Sequence, residues 1–260
     1  MTLLKVLGDE PLVRTLKGWV QGLREENYDM FLGIPFGVVD PNNVFGKTVY
    51  VADDDSRVCP QVKNNIAIGT LDCLNLNIYV PRTSHKKAVL VWIFGGFFKT
   101  GSAVTSIYGP RYLVAHDIIL VTFNYRLGPY GFFCLDTKEV AGNQGRNPFW
   151  GRDNITSIGA THGDEIGYIF DMEAVAGEMD RRDSVMLDRM TTMWTNFIKY
   201  GKPIPRVSKL LPKQWIPATR NKLNYLEIDE VMKNGYNPHH KKIAFWDMFY
   251  TYHLKHTDAT

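Results

Sequence analysis

Two apolar runs constrain this chain more than any other feature: Ala88-Val-Leu-Val-Trp-Ile-Phe94 and Ile118-Ile-Leu-Val-Thr-Phe123. Neither alternates with polar residues. A strand reads that way when both its faces are covered, as in the parallel sheet of an α/β protein. The segment between them, Pro110 to His116, has room for a short helix, and strand–helix–strand is the unit that sets two parallel strands side by side. Leu74-Asn-Leu-Asn-Ile-Tyr-Val80 alternates instead, which predicts a half-buried strand. Gly18 to Leu23 and Phe31 to Pro35 are shorter apolar pieces broken by Gly and Pro. The 260 residues suffice for one domain with a sizeable core.

The second half reads as helical. Ser184 to Tyr200 places Met186, Met190, Met193, Trp194, Phe197 and Ile198 on one stripe. Asp183 or Ser184 can cap its start, and Gly201 followed by Pro203 stops it. Met commonly fills cores, so this stripe is read as packing surface and not as a cofactor site. Asn224-Tyr-Leu-Glu-Ile228 predicts a short strand. Lys241 to Tyr252 predicts a last helix whose aromatics pack inward. Between Gly142 and Ser157 the character changes to a polar, Gly-, Asn- and Arg-rich stretch with no period.

Several function classes are disfavoured. The net charge of +3 comes from scattered lysines and arginines with no basic face, so no nucleic-acid partner is expected. No run of 18 apolar residues exists, so no membrane-spanning helix is expected. The first residues lack the apolar length of a signal peptide, which predicts a cytoplasmic protein as written and a secreted one if the N-terminus is incomplete. Cys59 and Cys73 enclose a short loop and can pair in an oxidising compartment, leaving Cys134 over; three reduced thiols are the alternative. No metal and no cofactor is expected.

Three places could carry chemistry. Phe94-Gly95-Gly96-Phe97 follows a buried strand directly, and backbone N–H groups in such a turn can stabilise an oxyanion without reorganising. Read alone, the same residues are a tight turn. His162 precedes Asp164-Glu165, which suit the first turn of a helix. It is either a general base or an ordinary polar loop residue. Arg126 ends the second apolar run, where a buried guanidinium would need a carboxylate partner, and its expected role is structural and not catalytic.

A set of co-linear motifs bears on these alternatives. They are Phe31-Leu-Gly-Ile-Pro-Phe-Gly37, Leu71-Asp-Cys-Leu-Asn-Leu-Asn-Ile-Tyr-Val-Pro81, Val91-Trp-Ile-Phe-Gly-Gly-Phe-Phe98, Asn124-Tyr-Arg-Leu-Gly-Pro-Tyr-Gly-Phe132, Gly142-Asn-Gln-Gly145, Gly159-Ala-Thr-His-Gly-Asp-Glu165 and Trp194-Thr-Asn-Phe197. In content and order they resemble the type-B carboxylesterases, nearest the insect antennal and juvenile-hormone-type branch. The resemblance implies an α/β-hydrolase fold and a Ser-Glu-His triad in that chain order. It implies that His162 is the base, that Gly95, Gly96 and Phe97 form the oxyanion loop, and that Cys59 and Cys73 are the family's first disulfide. A small-molecule ester is the implied partner, with oligomeric state left open. Asn154-Ile-Thr156 is a glycosylation sequon with meaning only in a secreted chain.

The departures from the family are as informative. No G-x-S-x-G nucleophile elbow occurs anywhere in the sequence. Ser102 and Ser157 lack an elbow's context, and the acidic triad member has no counterpart. Phe97 stands where the family has glycine, and its phenyl is expected to crowd the pocket or shift the loop. The expected fold is therefore an incomplete α/β-hydrolase missing central strands, elbow and most of the cap. It forms one truncated domain over 1–260, with a strand-rich half at 1–145, a junction at 146–158 and a helical half at 159–260. The remaining strands should show open apolar edges. The complete form is expected to hydrolyse small or lipophilic esters, with this chain catalytically inactive. The alternatives are a non-catalytic ester- or protein-binding relative and an unconventional hydrolase.

Overall fold

A computed structural model describes residues 10–37, 50–132, 163–172, 179–238 and 240–254. The chain divides into two compact units, Met1–Glu178 and Met179–Thr260.

The first unit is built on a mixed five-stranded sheet of β3 (Leu23–Arg24), β4 (Tyr28–Pro35), β8 (Asn75–Pro81), β10 (Ile118–Phe123) and β9 (Ala88–Trp92), in that spatial order. β4–β8 and β8–β10 are antiparallel, while β9 and β10 are parallel and in register from Ala88 opposite Ile118 to Trp92 opposite Thr122. The crossover between them contains the short helix α1 (Arg111–Val114), which buries Leu113 and Val114. The strand–helix–strand unit expected from the two apolar runs is therefore present. β1 (Leu12–Thr15), β2 (Gly18–Gln21) and β5 (Tyr50–Val51) make a smaller sheet, and β6 (Gln61–Lys63) pairs with β7 (Ile66–Ile68) as a hairpin. A register shift between Phe31 and Ile34 bends β4 at Gly33. Its φ of +68° and the Asp54 carbonyl, 2.0 Å from where a Cβ would stand, leave no residue but glycine there.

The alternation in β8 is real, but it is inverted. Asn75, Asn77 and Tyr79 are buried, while Leu76, Ile78 and Val80 are only half-buried. The asparagines go inside because they are fully employed there. Asn77 accepts from Gly33 N–H at 2.8 Å and donates to Ala103 O at 2.9 Å. Asn75 donates to Arg57 O at 3.0 Å, and Asn124 donates to the same carbonyl at 2.9 Å while accepting from Ala103 N–H at 2.9 Å. A buried amide held this way stabilises, whereas an unpaired one costs about 1–3 kcal/mol. The same face carries Tyr79, whose hydroxyl meets Thr105 at 2.8 Å and whose pKa burial pushes up.

The opposite face differs from the covered one expected for β9 and β10. Phe31, Val20 and Ala52 cover it near β4, with Ile78 and Val80 packed against them. Toward β9 the cover ends: Val89, Val91 and Ile93 are 52%, 55% and 65% exposed. β9 is also the sheet's edge among the described residues. The open apolar edge expected from the missing centre is therefore located here.

The second unit contains α4 (Arg181–Tyr200), the hairpin β11 (Asn224–Glu227) and β12 (Lys233–Tyr236), and α5 (His240–Leu254). α4 starts before the expected cap. Asp180 takes that role, accepting from Arg182 N–H at 2.6 Å and Asp183 N–H at 2.9 Å, while Asp183 reaches back to complete a capping box. Gly201, with φ of +66°, ends the helix as expected. Met193 enters the core with Ile204, Leu211, Leu226 and Met232, but Phe197 of the expected stripe is exposed. Arg189 is buried in its place because its guanidinium donates to the carbonyls of Leu210, Asp229 and Glu230. The aromatics of α5 do not pack inward. Phe245, Trp246, Phe249 and Tyr250 are exposed and contact one another.

Candidate active site

In a parallel α/β sheet, ligand sites lie beyond the carboxyl ends of the strands. The carboxyl end of β9 runs directly into Phe94-Gly95-Gly96-Phe97. Lys99 and Thr100 N–H groups donate to Gly96 O at 3.0 and 3.1 Å, which closes a turn. Gly96 has φ of +145°, and an added Cβ would stand 1.8 Å from Thr100 O. Among the described residues the N–H groups of Gly95, Gly96 and Phe97 donate to no protein acceptor. Three consecutive unused donors are a precondition for an oxyanion loop, which also needs them aimed at one point.

The expected crowding by Phe97 takes a different form. The residue adopts φ of +55° and Phe98 φ of +60°, so both occupy the left-handed region. The Phe97 side chain is 51% exposed. Phe97 thus carries the strain of a left-handed backbone with half its surface exposed.

The turn is held from β10's side by the Asn124-Tyr-Arg-Leu-Gly128 motif, whose purpose becomes visible only in three dimensions. Phe94 is buried and stacks on Tyr125 at 4.4 Å, and the Tyr125 hydroxyl donates to Phe94 O at 2.7 Å. Burial pushes the Tyr125 pKa up, so the phenol stays a donor. Leu127 is buried beside Phe94, and Gly128 N–H donates to Phe98 O at 2.7 Å. Arg126 is exposed and makes no ion pair among the described residues. From the other side, Cys59 and Cys73 form a disulfide that packs in the same cluster as Phe94, Ala103 and Leu127. This resolves the cysteine alternatives for that pair. Gln61 bridges the disulfide loop to the turn, accepting from Gly101 N–H and donating to Gly101 O, both at 2.9 Å. Sequence reading missed this clamp and the buried asparagines, because Asn and Gln between apolar residues look like ordinary surface positions. A cleft of about 810 Å³ opens beside the turn, with Pro60, Val62, Ile68, Lys99, Tyr130 and Phe132 among its walls.

His162 and Asn154 lie outside the described residues. The described chain resumes at Gly163, φ +88°, and Glu165 precedes the four-residue helix α3 (Ile166–Ile169) without making a side-chain cap. The acids therefore do not sit in the helix's first turn as expected. Phe170 then packs on Trp92 and Tyr108 at 4.8 and 5.1 Å, tying this segment to β9. His85 forms a histidine–carboxylate pair with Asp117. It precedes the starts of β9 and β10, so it is separated from the Gly-Gly turn by the length of β9, about 16 Å at the usual rise per residue. It cannot serve that turn. No group of three or more potential metal ligands occurs among the described residues. No described helix is long and apolar enough to cross a membrane.

Residues 9–147 and 146–246 match the sequence model of the carboxylesterase family. The chain belongs to the carboxylesterase family. Its mixed sheet, with β9 and β10 parallel, is that of an incomplete α/β-hydrolase fold. The relatives include "Acetylcholinesterase 4" of Caenorhabditis briggsae, 46% identical over 94 residues, covering 34% of this chain and 16% of the relative. A juvenile hormone esterase of Tribolium castaneum is 35% identical over 156 residues, covering 52% of this chain and 26% of the relative. Among solved structures, juvenile hormone esterase from Manduca sexta is 32% identical with a TM-score of 0.45, covering 52% of this chain and 30% of that one. The carboxylesterase-family chain described here thus spans about a third or less of each of these relatives.

Proposed function

We propose that this chain retains the ester-facing half of a carboxylesterase site without the nucleophile, and that it does not turn esters over. The complete enzyme of this lineage acts as a carboxylic-ester hydrolase on small or lipophilic esters. Gly95, Gly96 and Phe97 are its oxyanion loop, and His162 is the base it would use. The observation that carries this reading is the sequence itself, which holds no G-x-S-x-G. Serine acts as a nucleophile only when a base is within hydrogen-bond reach. None of the described serines has a histidine within that reach; Ser56 donates to the Asp54 carboxylate at 2.9 Å, a group whose pKa the Ser56 bonds lower, so it is a poor base, and Ser102 is buried. The free edge of β9 supports the same conclusion, since the strand that would bear an elbow is not beside it among the described residues. The two family matches abut at 146–147, which favours placing the junction within 146–158.

The test is a fluorophosphonate probe, which labels only an activated serine, applied to purified chain beside p-nitrophenyl acetate hydrolysis. The expected results are no labelling and hydrolysis no faster than with the Gly96→Val variant. Labelling at any single serine overturns the proposal.

The alternative of an ester-binding module without catalysis is favoured by one observation, the largely apolar cleft against the turn. A non-hydrolysable trifluoromethyl ketone with a lipophilic tail separates the two: saturable binding supports the module, and its absence removes it.

A further inference from the structure

The two edges of the five-stranded sheet are unlike. β3 is two residues long and carries the Arg24–Asp29 ion pair at 3.1 Å, a short charged edge of the kind that blocks further pairing. β9 is five residues long, AVLVW, with no charge in it, and it continues uncharged through Phe98. Alternate backbone N–H and C=O groups of β9 point away from β10, and among the described residues no strand receives them. Val89, Val91 and Ile93 project exposed from the face beside that edge.

We propose that β9 is a self-association edge whose occupant is β9 of a second copy of this chain, paired antiparallel across a two-fold axis at Val91. The orientation follows from charge. Parallel pairing would set Lys86 and Lys87 against their own counterparts, and like charges directly opposite destabilise a ladder. Antiparallel pairing about Val91 places Val91 opposite itself, Val89 opposite Ile93 and Leu90 opposite Trp92. It puts Lys87 opposite Gly95 and Lys86 opposite Gly96, where nothing apolar is spoiled. The three exposed aliphatic side chains of each copy then meet on one face. Stoichiometry follows from the other edge. Because β3 does not offer a second pairing surface in this sheet, an isologous β9 contact closes at two copies and does not propagate. A five-residue ladder is about 17 Å long, so the contact is a weak, concentration-dependent one.

The test uses sedimentation velocity on the full chain over a concentration series, with Val91→Lys and Val91→Glu variants alone and mixed. Val91 is exposed, so neither substitution removes core packing; matching thermal melts of variants and parent check this. The parent is expected to dimerise reversibly. Val91→Lys, which opposes two lysines on the axis, is expected to raise the dissociation constant about tenfold or more. The equimolar Lys and Glu mixture is expected to recover a mixed dimer. A parent that stays monomeric, a parent that grows open-ended assemblies, or a Val91→Lys chain that dimerises like the parent each overturns the proposal. A mixture without mixed dimer overturns the Val91 axis.

Discussion

Asn77 is the residue whose replacement best tests how this chain holds its turn. It sits in β8 opposite Thr122 with 1% of its surface exposed. Its amide oxygen accepts from Gly33 N–H at 2.8 Å. Its NH₂ group donates to Ala103 O at 2.9 Å, with longer contacts to Thr122 Oγ1 and Asp55 Oδ2 at 3.3 Å each. Asn77→Leu keeps the branched shape and heavy-atom count and removes these bonds, leaving Gly33 N–H and Ala103 O without them. Two buried partners that each lose a bond, at about 1–3 kcal/mol apiece, partly offset by the added apolar burial, give a loss of about 2 kcal/mol. Asn77→Asp keeps the shape and the bond from Gly33 but turns the contacts donated to Ala103 O and the Asp55 carboxylate into repulsions. A buried charge without a cation costs more than a missing amide, so the Asp variant should be the less stable of the two near neutral pH. The sign of its pH dependence is fixed by the same geometry. The introduced carboxyl has a folded pKa raised above its unfolded value, so its deficit is largest above the folded value and shrinks as the pH falls through it. Urea unfolding at pH 7 and pH 5 measures both effects. Hydrogen exchange at the Ala103 and Thr105 amides reports whether the loop below the Gly-Gly turn loosens. An Asn77→Leu chain that unfolds at the parent's urea concentration, or an Asp variant no worse than Leu, would refute the assignment of Asn77 as the bolt between sheet and loop.

Other expectations can be checked more briefly. The Cys59–Cys73 bond closes a loop of sequence separation 14, so reducing it should lower stability by about 3 kcal/mol. Thiol titration of the denatured, unreduced chain should find those two cysteines unreactive. Phe97→Gly should leave stability unchanged or raise it by up to about 1 kcal/mol, since it relieves a left-handed phenylalanine and uncovers little, and it should not create esterase activity. Bonds from the Asp183 and then the Arg182 backbone N–H hold the Asp180 carboxyl below its ordinary value. Its capping contribution is therefore present above that ordinary value of 3.8 and lost as the pH falls through the lowered one. Asp180→Ala should melt earlier than the parent at pH 7, and the two melts should converge in strong acid.

What the amino-acid order disclosed, and what it concealed, divides along a physical line. Continuous apolar runs at 88–94 and 118–123, a glycine pair after the first, and a glycine stop at Gly201 are local signals that need no tertiary context, and each lies where it was expected. The inverted burial of β8 could not be read locally. Leu76 and Ile78 outrank Asn75 and Asn77 on any hydropathy scale, yet the asparagines are inside because partners 18 to 67 residues away in sequence satisfy them. Arg189 is the same case in α4. Its burial depends on carbonyls at Leu210, Asp229 and Glu230, which no helical periodicity can announce.

The apolar surfaces that violate the periodicity argument have a common cause. Val89 and Val91 in β9, Ile93 just after it, and the aromatics of α5 obey the rule for buried elements, but they stand exposed. Hydrophobic pattern records the environment a segment was selected for; it does not guarantee that the chain in hand supplies the cover. A strand patterned for a central position becomes an edge when its outer neighbour is absent. The chain then keeps a turn with three idle N–H donors, braced by a disulfide and a stacked tyrosine, next to a sheet edge with no strand beside it among the described residues. The function proposed above gives both features one origin, an absent stretch of family sequence. Restoring a segment that contains a strand and an elbow serine between Gly145 and His162 should therefore do two things together. It should give fluorophosphonate labelling at the new serine, and it should abolish association through β9. If only one of these changes, the loss of catalysis and the open edge do not share an origin.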